Sequence, residues 1–382
     1  MKKVLFIQNK GNTLGGVWFV NKIVGESLIE KGYSVEILSI RSGNDLLEHN
    51  IQLKTKTINK KTPWEIVHKG DILKSLKQKK IDRAILYFFL WIRDSILLKK
   101  DFLKTKQYIK KQNPDYIITT HYEVLNAIPK KYLNRVIHEH HSSFQNALDT
   151  KNNINTLMKY NNKINFLWLC ENTLKKAQKY GLKKNHFIYN PIKFTSSKRA
   201  NVVENKKLIT ISRLSSSQKR IDLMIDIVKD VLKEFPEWTL ELYGDGMLDL
   251  KSENIIQKNP QIKKMGRTDD VKKVLLNSSI YLSTSYYEGF SLSILEANEC
   301  GIPCISYDFG ESCSEEIQNG KTGYIIPFHD KETYQKKLKE LIQNKDLLEK
   351  LSKNAKEFSL QFSKSVIVEE WIKLFHEIEC EK

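Results

Sequence analysis

Cysteine and proline are scarce in this chain, at five and eight of 382 residues. The cysteines, Cys170, Cys300, Cys304, Cys313 and Cys380, are odd in number and unpatterned, which excludes a disulfide framework. Cys300 and Cys304 flank a Gly-Ile-Pro turn, and no second pair completes a zinc site. A reduced, cytoplasmic setting is the simplest reading. No apolar run approaches the roughly 18 residues that a membrane span needs. The opening MKKVLFIQNK is apolar only over Val4–Ile7 and reads as a first strand rather than a signal peptide. There is no three-glycine dinucleotide fingerprint, no internal repeat, no low-complexity tract and no nucleic-acid recognition motif. There is also no Asp-x-Asp carboxylate pair of the kind that holds a metal on a diphosphate.

What is present suggests two globular units. The length exceeds what one core usually serves, and 40% hydrophobic with 28% charged residues fits a globular protein. The net charge of +18 is unevenly spread. Residues 1–200 hold 37 Lys+Arg against 15 Asp+Glu, whereas 201–382 hold 26 against 30. A Lys-rich genome explains abundance but not segregation. The asymmetry suits an anionic partner for the first half: a membrane surface, a polyanionic acceptor or nucleic acid, the last lacking any motif. Residues 51–111 concentrate the effect, with 17 basic and 5 acidic residues around the run Ile85–Ile92. Eight apolar residues cannot span a bilayer. The run suits either a membrane-interface helix or a core helix with a solvated basic face.

The order of elements is that of open α/β folds. Val4–Ile7 is a buried strand, followed by a loop ending in Gly15-Gly16, a helical pattern from Val17 to Lys31 and a strand from Val35 to Ile40. Gly15 and Gly16 let backbone amides approach a phosphate or sugar. The strand Pro114–Thr120 ends at His121, and Val136–His141 carries Glu139 between His138 and the pair His140-His141. Strand alternation sends neighbouring imidazoles to opposite faces, so a cleft-lining role for one or two of them is favoured over a metal site. The polar run from Lys193 to Lys207 is the candidate linker. Beyond it, a strand runs into Arg213, a serine-rich loop and Lys219-Arg220 precede a helix, and a further strand ends at Gly244-Asp245-Gly246. Two cations on a loop before a helix suit a diphosphate.

The most informative stretch is STSYYEGFSLSILEANECGIPCI, Ser283 to Ile305. Glu288 and Glu296 are separated by seven residues. Glu288 falls on a strand-to-helix loop and Glu296 about two turns into the helix, which Gly301 and Pro303 end. The amides of Gly289, Phe290 and Ser291 would be free at the helix start, a natural place for phosphate. This stretch resembles the "Glu, seven residues, Glu" signature of the retaining, nucleotide-sugar-dependent glycosyltransferases of the large family four. The resemblance extends over nearly the whole chain and is strongest over 208–327. Arg213 and Lys219 match the family's pattern. Arg220 stands where glycine is usual, Val17 where glutamate often follows the Gly-Gly pair, and Ser314-Glu315 echoes a "Gly-Pro-Ser-Glu" segment with cysteine for proline.

The resemblance implies an α/β protein of two Rossmann-like domains facing across a cleft, the GT-B arrangement. Residues 1–193 would form the acceptor-side domain, 194–207 a linker and 208–362 the donor domain, with 363–382 a helix crossing back to the first domain. It implies transfer of a sugar, with retained anomeric configuration, from a nucleoside diphosphate whose base is most often uracil. Arg213 and Lys219 would hold the diphosphate without a metal or other cofactor. Glu296 would bind the ribose, and Glu288 with Gly289, Phe290, Ser291 and Leu292 the sugar and phosphates. Gly16, Gly244 and Arg267 would complete the donor site. His121 would contact the sugar from the first domain, and Gly15, His140 and His141 are the acceptor-side candidates. The acceptor would be a glycan, teichoic acid or lipid-linked carrier of bacterial cell-surface biosynthesis, met at the inner face of the membrane through residues 51–111. Within the same architecture a nucleotide-sugar epimerase or phosphorylase is the enzymatic alternative. A basic scaffold without catalysis is the alternative from another class, but it would have no use for Arg213, Lys219, Glu288 and Glu296 together.

Overall fold

Short apolar runs bounded by turns become fully buried strands, because a parallel sheet is covered by helices on both faces. The computed structural model describes residues 1–10, 15–41, 53–59, 69–78, 80–149 and 151–381. The first sheet holds β1 (Lys3–Lys10), β2 (Ser34–Arg41), β3 (Lys54–Asn59), β4 (Tyr116–Thr119), β5 (Val136–His140), β6 (Asn165–Trp168) and β7 (Asn185–Phe187). Its order is β3-β2-β1-β4-β5-β6-β7, and every pairing is parallel. The second sheet holds β8 (Lys207–Ile211), β9 (Thr239–Tyr243), β10 (Ile262–Gly266), β11 (Ile280–Ser283), β12 (Cys304–Tyr307) and β13 (Gly323–Ile326). It is also all parallel, in the order β10-β9-β8-β11-β12-β13. In both sheets the order reverses beside the first strand, which opens a crevice at the strands' carboxyl ends where ligands bind in such folds.

The chain crosses between the sheets twice, and the two crossings touch. The Ile192 amide donates to the Phe362 carbonyl (2.9 Å). Around that bond Leu169, Cys170, Phe290, Leu295 and Phe362 form a small core of their own. Beyond it the helix Lys364–Cys380 returns to the first sheet. Trp371, Leu374 and Phe375 bury themselves against Val4, Phe6 and Trp18, and each such side chain contributes on the order of 2 kcal/mol. Phe375 stacks on Tyr116 at 4.0 Å, and the Tyr116 hydroxyl donates to Glu379.

The polar segment expected as a linker is packed rather than free. Ala200 and Val202 belong to the second core. The Ser196 amide donates to Glu299 (2.7 Å), and the Ala200 amide to the Cys300 carbonyl (2.8 Å). Residues 51–111 also differ from one of the two expectations. The run Ile85–Ile92 lies within the helix Ile81–Gln112, and much of it is exposed rather than core. Residues 51–52, 60–68 and 79 of that region, and 11–14 of the loop before Gly15, lie outside the described residues.

Candidate active site

Carboxyl ends of both sheets meet across a cavity of about 550 Å³. From the second domain it is lined by Arg213 and Lys219 after β8, and by Glu288, Gly289, Phe290 and Glu296 after β11. From the first domain Gly15 and Gly16 follow β1, and His141 and Ser142 follow β5. The four charged residues singled out in the sequence therefore share one hollow. A larger cavity, about 970 Å³, adjoins at Tyr287 and runs between the domains past Asn146, Lys176, Tyr286, Asp308 and Phe328.

The loop that carries Glu288 is fixed from three sides. Phe290 stacks on Tyr189 (5.2 Å) and meets Phe362 edge-on (5.7 Å). The Gln218 amide group donates to the Tyr287 carbonyl (3.1 Å), and the Tyr286 amide donates to the Gln218 carbonyl (2.8 Å). Gly289 lies against the other domain: a Cβ built on it would sit 2.4 Å from the His141 carbonyl oxygen and 2.9 Å from the Ser142 Cα. Only a residue without a side chain permits that approach.

The charges are arranged as a partly satisfied set. Lys219 Nζ lies 2.5 Å from Glu288, and both groups are largely shielded from solvent. Arg213 is exposed and donates to Gln218 Oε1 (2.8 Å), which points its guanidinium along the cavity wall. Glu296 is 5% exposed, and its nearest cation is Lys193 at 4.0 Å. Burial pushes its carboxyl up to about 7, against the pull of Lys193. Lys193 in turn lies over the Phe19 ring (3.7 Å). A buried carboxylate with so little to accept from is a ready receiver for hydroxyl donors.

Not every expected amide is free. The Ser291 amide donates to Glu316 Oε1 (3.0 Å), so a buried carboxyl already caps the helix Leu292–Glu299. Burial pushes Glu316 up to about 8, and its other oxygen has no partner. The amides of Gly289, Phe290 and Leu292 have no acceptor among the described residues. They are the donors left for an anion.

Several expected positions fall elsewhere. His121 does not line the cavity; it turns to solvent after β4 and pairs with the Thr120 hydroxyl (2.9 Å). His141 occupies the first-domain wall instead, 3.5 Å from Glu139. His140 points into the core, bonded to the Tyr122 hydroxyl (2.6 Å) and the Ser143 carbonyl (3.2 Å), with burial pushing it down to about 4. Arg267 pairs with Asp245 in a separate hollow at the sheet edge. Gly244, with φ +134°, has the Ser212 carbonyl oxygen 1.8 Å from where a Cβ would be, so it packs the Arg213 loop rather than lining the cavity. Arg220 holds the left-handed turn (φ 49°) that explains the family's preference for glycine there, steadied by its pair with Asp222 (3.0 Å).

Sequence reasoning missed Lys193, Gln218 and Glu316. The first opens the candidate linker and the second precedes Lys219, both visible landmarks. Glu316 lies one residue past the Ser314-Glu315 echo. Glu315 faces the other way, accepting from the Glu171 and Asn172 amides (2.9 and 2.7 Å) at the start of the first-domain helix Glu171–Lys179.

Gly289→Ala is expected to push the Glu288 loop off the β5 end. Turnover of a nucleotide sugar should fall about a hundredfold from a displacement near 1 Å, with little change in melting temperature. Unchanged turnover in a steady-state assay would show that the close approach is dispensable.

Comparison with known proteins agrees with this geometry. The glycosyl transferases group 1 family profile matches residues 192–358. An uncharacterised glycosyltransferase of Haemophilus influenzae is 24% identical, the alignment covering 97% of this chain and 99% of that protein. The poly(ribitol-phosphate) alpha-N-acetylglucosaminyltransferase of Staphylococcus aureus is 29% identical over 63% of this chain, which spans about half (50%) of that relative's length. The structure of a Staphylococcus aureus TarM mutant with fondaparinux, alpha-GlcNAc-glycerol and UDP superposes with a TM-score of 0.75 at 17% identity, covering 98% of this chain and 100% of TarM. That likeness shows the GT-B fold. Residues 192–358 thus match the glycosyl transferases group 1 profile, and the whole length is folded as GT-B.

Proposed function

We propose that the protein transfers a sugar, with retention, from a UDP-sugar to a hydroxyl of a cell-surface polysaccharide, teichoic acid or lipid-linked glycan, without a metal. The observation that carries this reading is the convergence of Arg213, Lys219, Glu288 and Glu296 on one cavity roofed by Gly15, Gly16 and His141.

Breaking the anomeric bond leaves a diphosphate and an oxocarbenium-like sugar. Arg213, Lys219 and the free amides of Gly289, Phe290 and Leu292 would take up the departing charge, which fixed donors stabilise without reorganising. Glu288, now paired with Lys219, would turn to the sugar hydroxyls as the phosphate claims the ammonium. Glu296 would accept from the two ribose hydroxyls. His141, rather than His121, would contact the sugar from the first domain. The acceptor's proton would pass to the leaving phosphate oxygen, so no separate base is required. The adjoining cavity, with Tyr286, Phe328, Asp308 and Asn146, offers the aromatic and hydroxyl-binding surface an acceptor glycan needs. Among the described residues no helix is long and apolar enough to cross a membrane. The basic first domain would meet an anionic membrane surface on the cytoplasmic side through residues 51–111. The relatives' names, a poly(ribitol-phosphate) transferase and a TarM bound to UDP and alpha-GlcNAc-glycerol, favour this acceptor class.

Arg213→Ala and Lys219→Ala should each lower turnover about a hundredfold or more while the melting temperature holds. Full activity in either would remove that residue from the diphosphate. Activity should persist in excess EDTA, and its loss would refute the metal-free mechanism. Glu296 is the pH-sensitive group. Its carboxyl, raised to about 7, is protonated below that value and can then accept less from a diol. UDP affinity by calorimetry, taken relative to Glu296→Gln, should therefore fall up to about tenfold per unit below pH 7. A ratio that stays flat from pH 5.5 to 8.5 (a window bracketing that carboxyl by about 1.5 units) would place Glu296 away from the ribose.

A further inference from the structure

The helix Ile81–Gln112 is 32 residues long and is held to the first domain by one face. Ala84, Asp94, Asp101, Thr105, Tyr108 and Ile109 are the buried positions. Asp101 pairs with Arg41 at the end of β2 (3.2 Å) and accepts from Asn59 at the end of β3 (2.8 Å). Tyr108 donates to Glu36, further back along β2 (2.6 Å). The helix therefore runs antiparallel to the strands. Its contacts reach the carboxyl ends of β2 and β3 at Asp101, and the twenty residues before it extend about 30 Å further at 1.5 Å each. That is the side on which the loops after β1 and β5 line the donor cavity.

This overhanging half carries an unusual surface. Ile81, Ile85, Phe88, Phe89, Ile92 and Ile96 are each 38% to 64% exposed. At 100° per residue they fall within one stripe about 100° wide, on the side opposite the buried Asp94, Asp101, Thr105 and Tyr108. The neighbouring helix Lys69–Lys77 adds Leu73 and Leu76, 60% and 49% exposed. Isolated exposed apolar residues are ordinary, but a contiguous stripe of this length marks an interaction surface. Exposed cations accompany it: Arg93 and Lys100 flank the stripe, Lys99 lies along its end, and Lys77 and Lys80 stand where the two helices meet, with Asp82 the one exposed carboxylate between 72 and 100 among the described residues.

We infer that this stripe is a monotopic membrane anchor that seats the overhanging half of the helix in the headgroup layer of an anionic bilayer, beside the mouth of the cleft. Charge decides between the two occupants that could cover an apolar face. A second copy of the chain, docked stripe to stripe, would bring the same cations against one another. An anionic lipid surface neutralises them while the phenylalanines and isoleucines enter the acyl boundary. The inference rests on the proposed function for its purpose, since it would place the cleft where lipid-linked acceptors are found. It stands on the helix for its geometry.

The test is sedimentation of the full chain with vesicles of phosphatidylglycerol and phosphatidylcholine, and with phosphatidylcholine alone. Binding is expected to the anionic vesicles only and to weaken with salt. Phe88→Ser/Phe89→Ser and Lys99→Glu/Lys100→Glu should each lower the vesicle-bound fraction about tenfold without altering UDP affinity or the melting temperature. Absence of wild-type binding, or equal binding by both double variants, would overturn the anchor. So would a wild-type dimer that Phe88→Ser/Phe89→Ser converts to a monomer. UDP calorimetry on the same preparations separates the two claims: a chain that binds vesicles but no nucleotide defeats the enzymatic reading alone.

Discussion

The site depends on a single close approach, that of the Gly289 backbone to the end of β5. Everything around Gly289 serves to hold it there. Phe290, the next residue, is clamped between Tyr189 from the first crossing and Phe362 from the second. The two crossings are themselves tied by the Ile192–Phe362 hydrogen bond. A shift at either crossing would move Phe290 and with it Glu288, so this loop follows the relative placement of the domains directly. Glu315 adds a second tie on the same side. Its carboxylate sits on the amides that open the helix Glu171–Lys179, where the helix dipole favours negative charge.

Within that frame the charged groups are positioned but under-satisfied, and this is what makes the cavity a binding site rather than a core defect. Glu288 has its lysine and Ser291 has its buried carboxyl cap, so the loop keeps its shape without a ligand. Glu296 and the amides of Gly289, Phe290 and Leu292 are left with little or nothing to bond. On the proposed reading, a nucleoside diphosphate would supply the missing partners: a diol for the carboxylate and oxyanions for the amides and for Arg213. The two raised carboxyls have different fates. Glu316 is sealed away against the Ser291 amide, whereas Glu296 lines the cavity.

Much of this was legible in the sequence because parallel sheets buried on both faces write their strands as plain apolar runs. The alternation of strands and helices from Val4 to Ile40 and from Leu208 to Ile305 made the fold readable, and Arg213, Lys219, Glu288 and Glu296, singled out by motif, share one cavity. The histidines were not legible. His121 and His141 both follow strands of one sheet, and which of them enters the cleft depends on where each turn begins. After β4 the chain starts a tight turn at once and sends His121 outward, while after β5 it continues to Ser142 beneath Gly289. The roles of Glu315 and Glu316 were equally hidden, since adjacent side chains at a short helix point to different domains. The polar composition of 193–207 marked a candidate linker, and pattern alone does not reveal that Ala200 and Val202 within it belong to the second core.

The uneven charge of the chain now has a spatial reading. The cavity takes Arg213 and Lys219 from the second, slightly acidic half and Lys193 from the end of the first, so most of the excess lysine of the first half lies away from it. Along the helix Ile81–Gln112 that excess borders an apolar stripe rather than a cavity, and buried ion pairs such as Arg41–Asp101 show that the chain places carboxylates where cations must be neutralised internally. The cavity and the apolar stripe thus lie in different parts of the molecule, the stripe on a helix of the first domain whose docked end holds the sheet and whose free end extends past it.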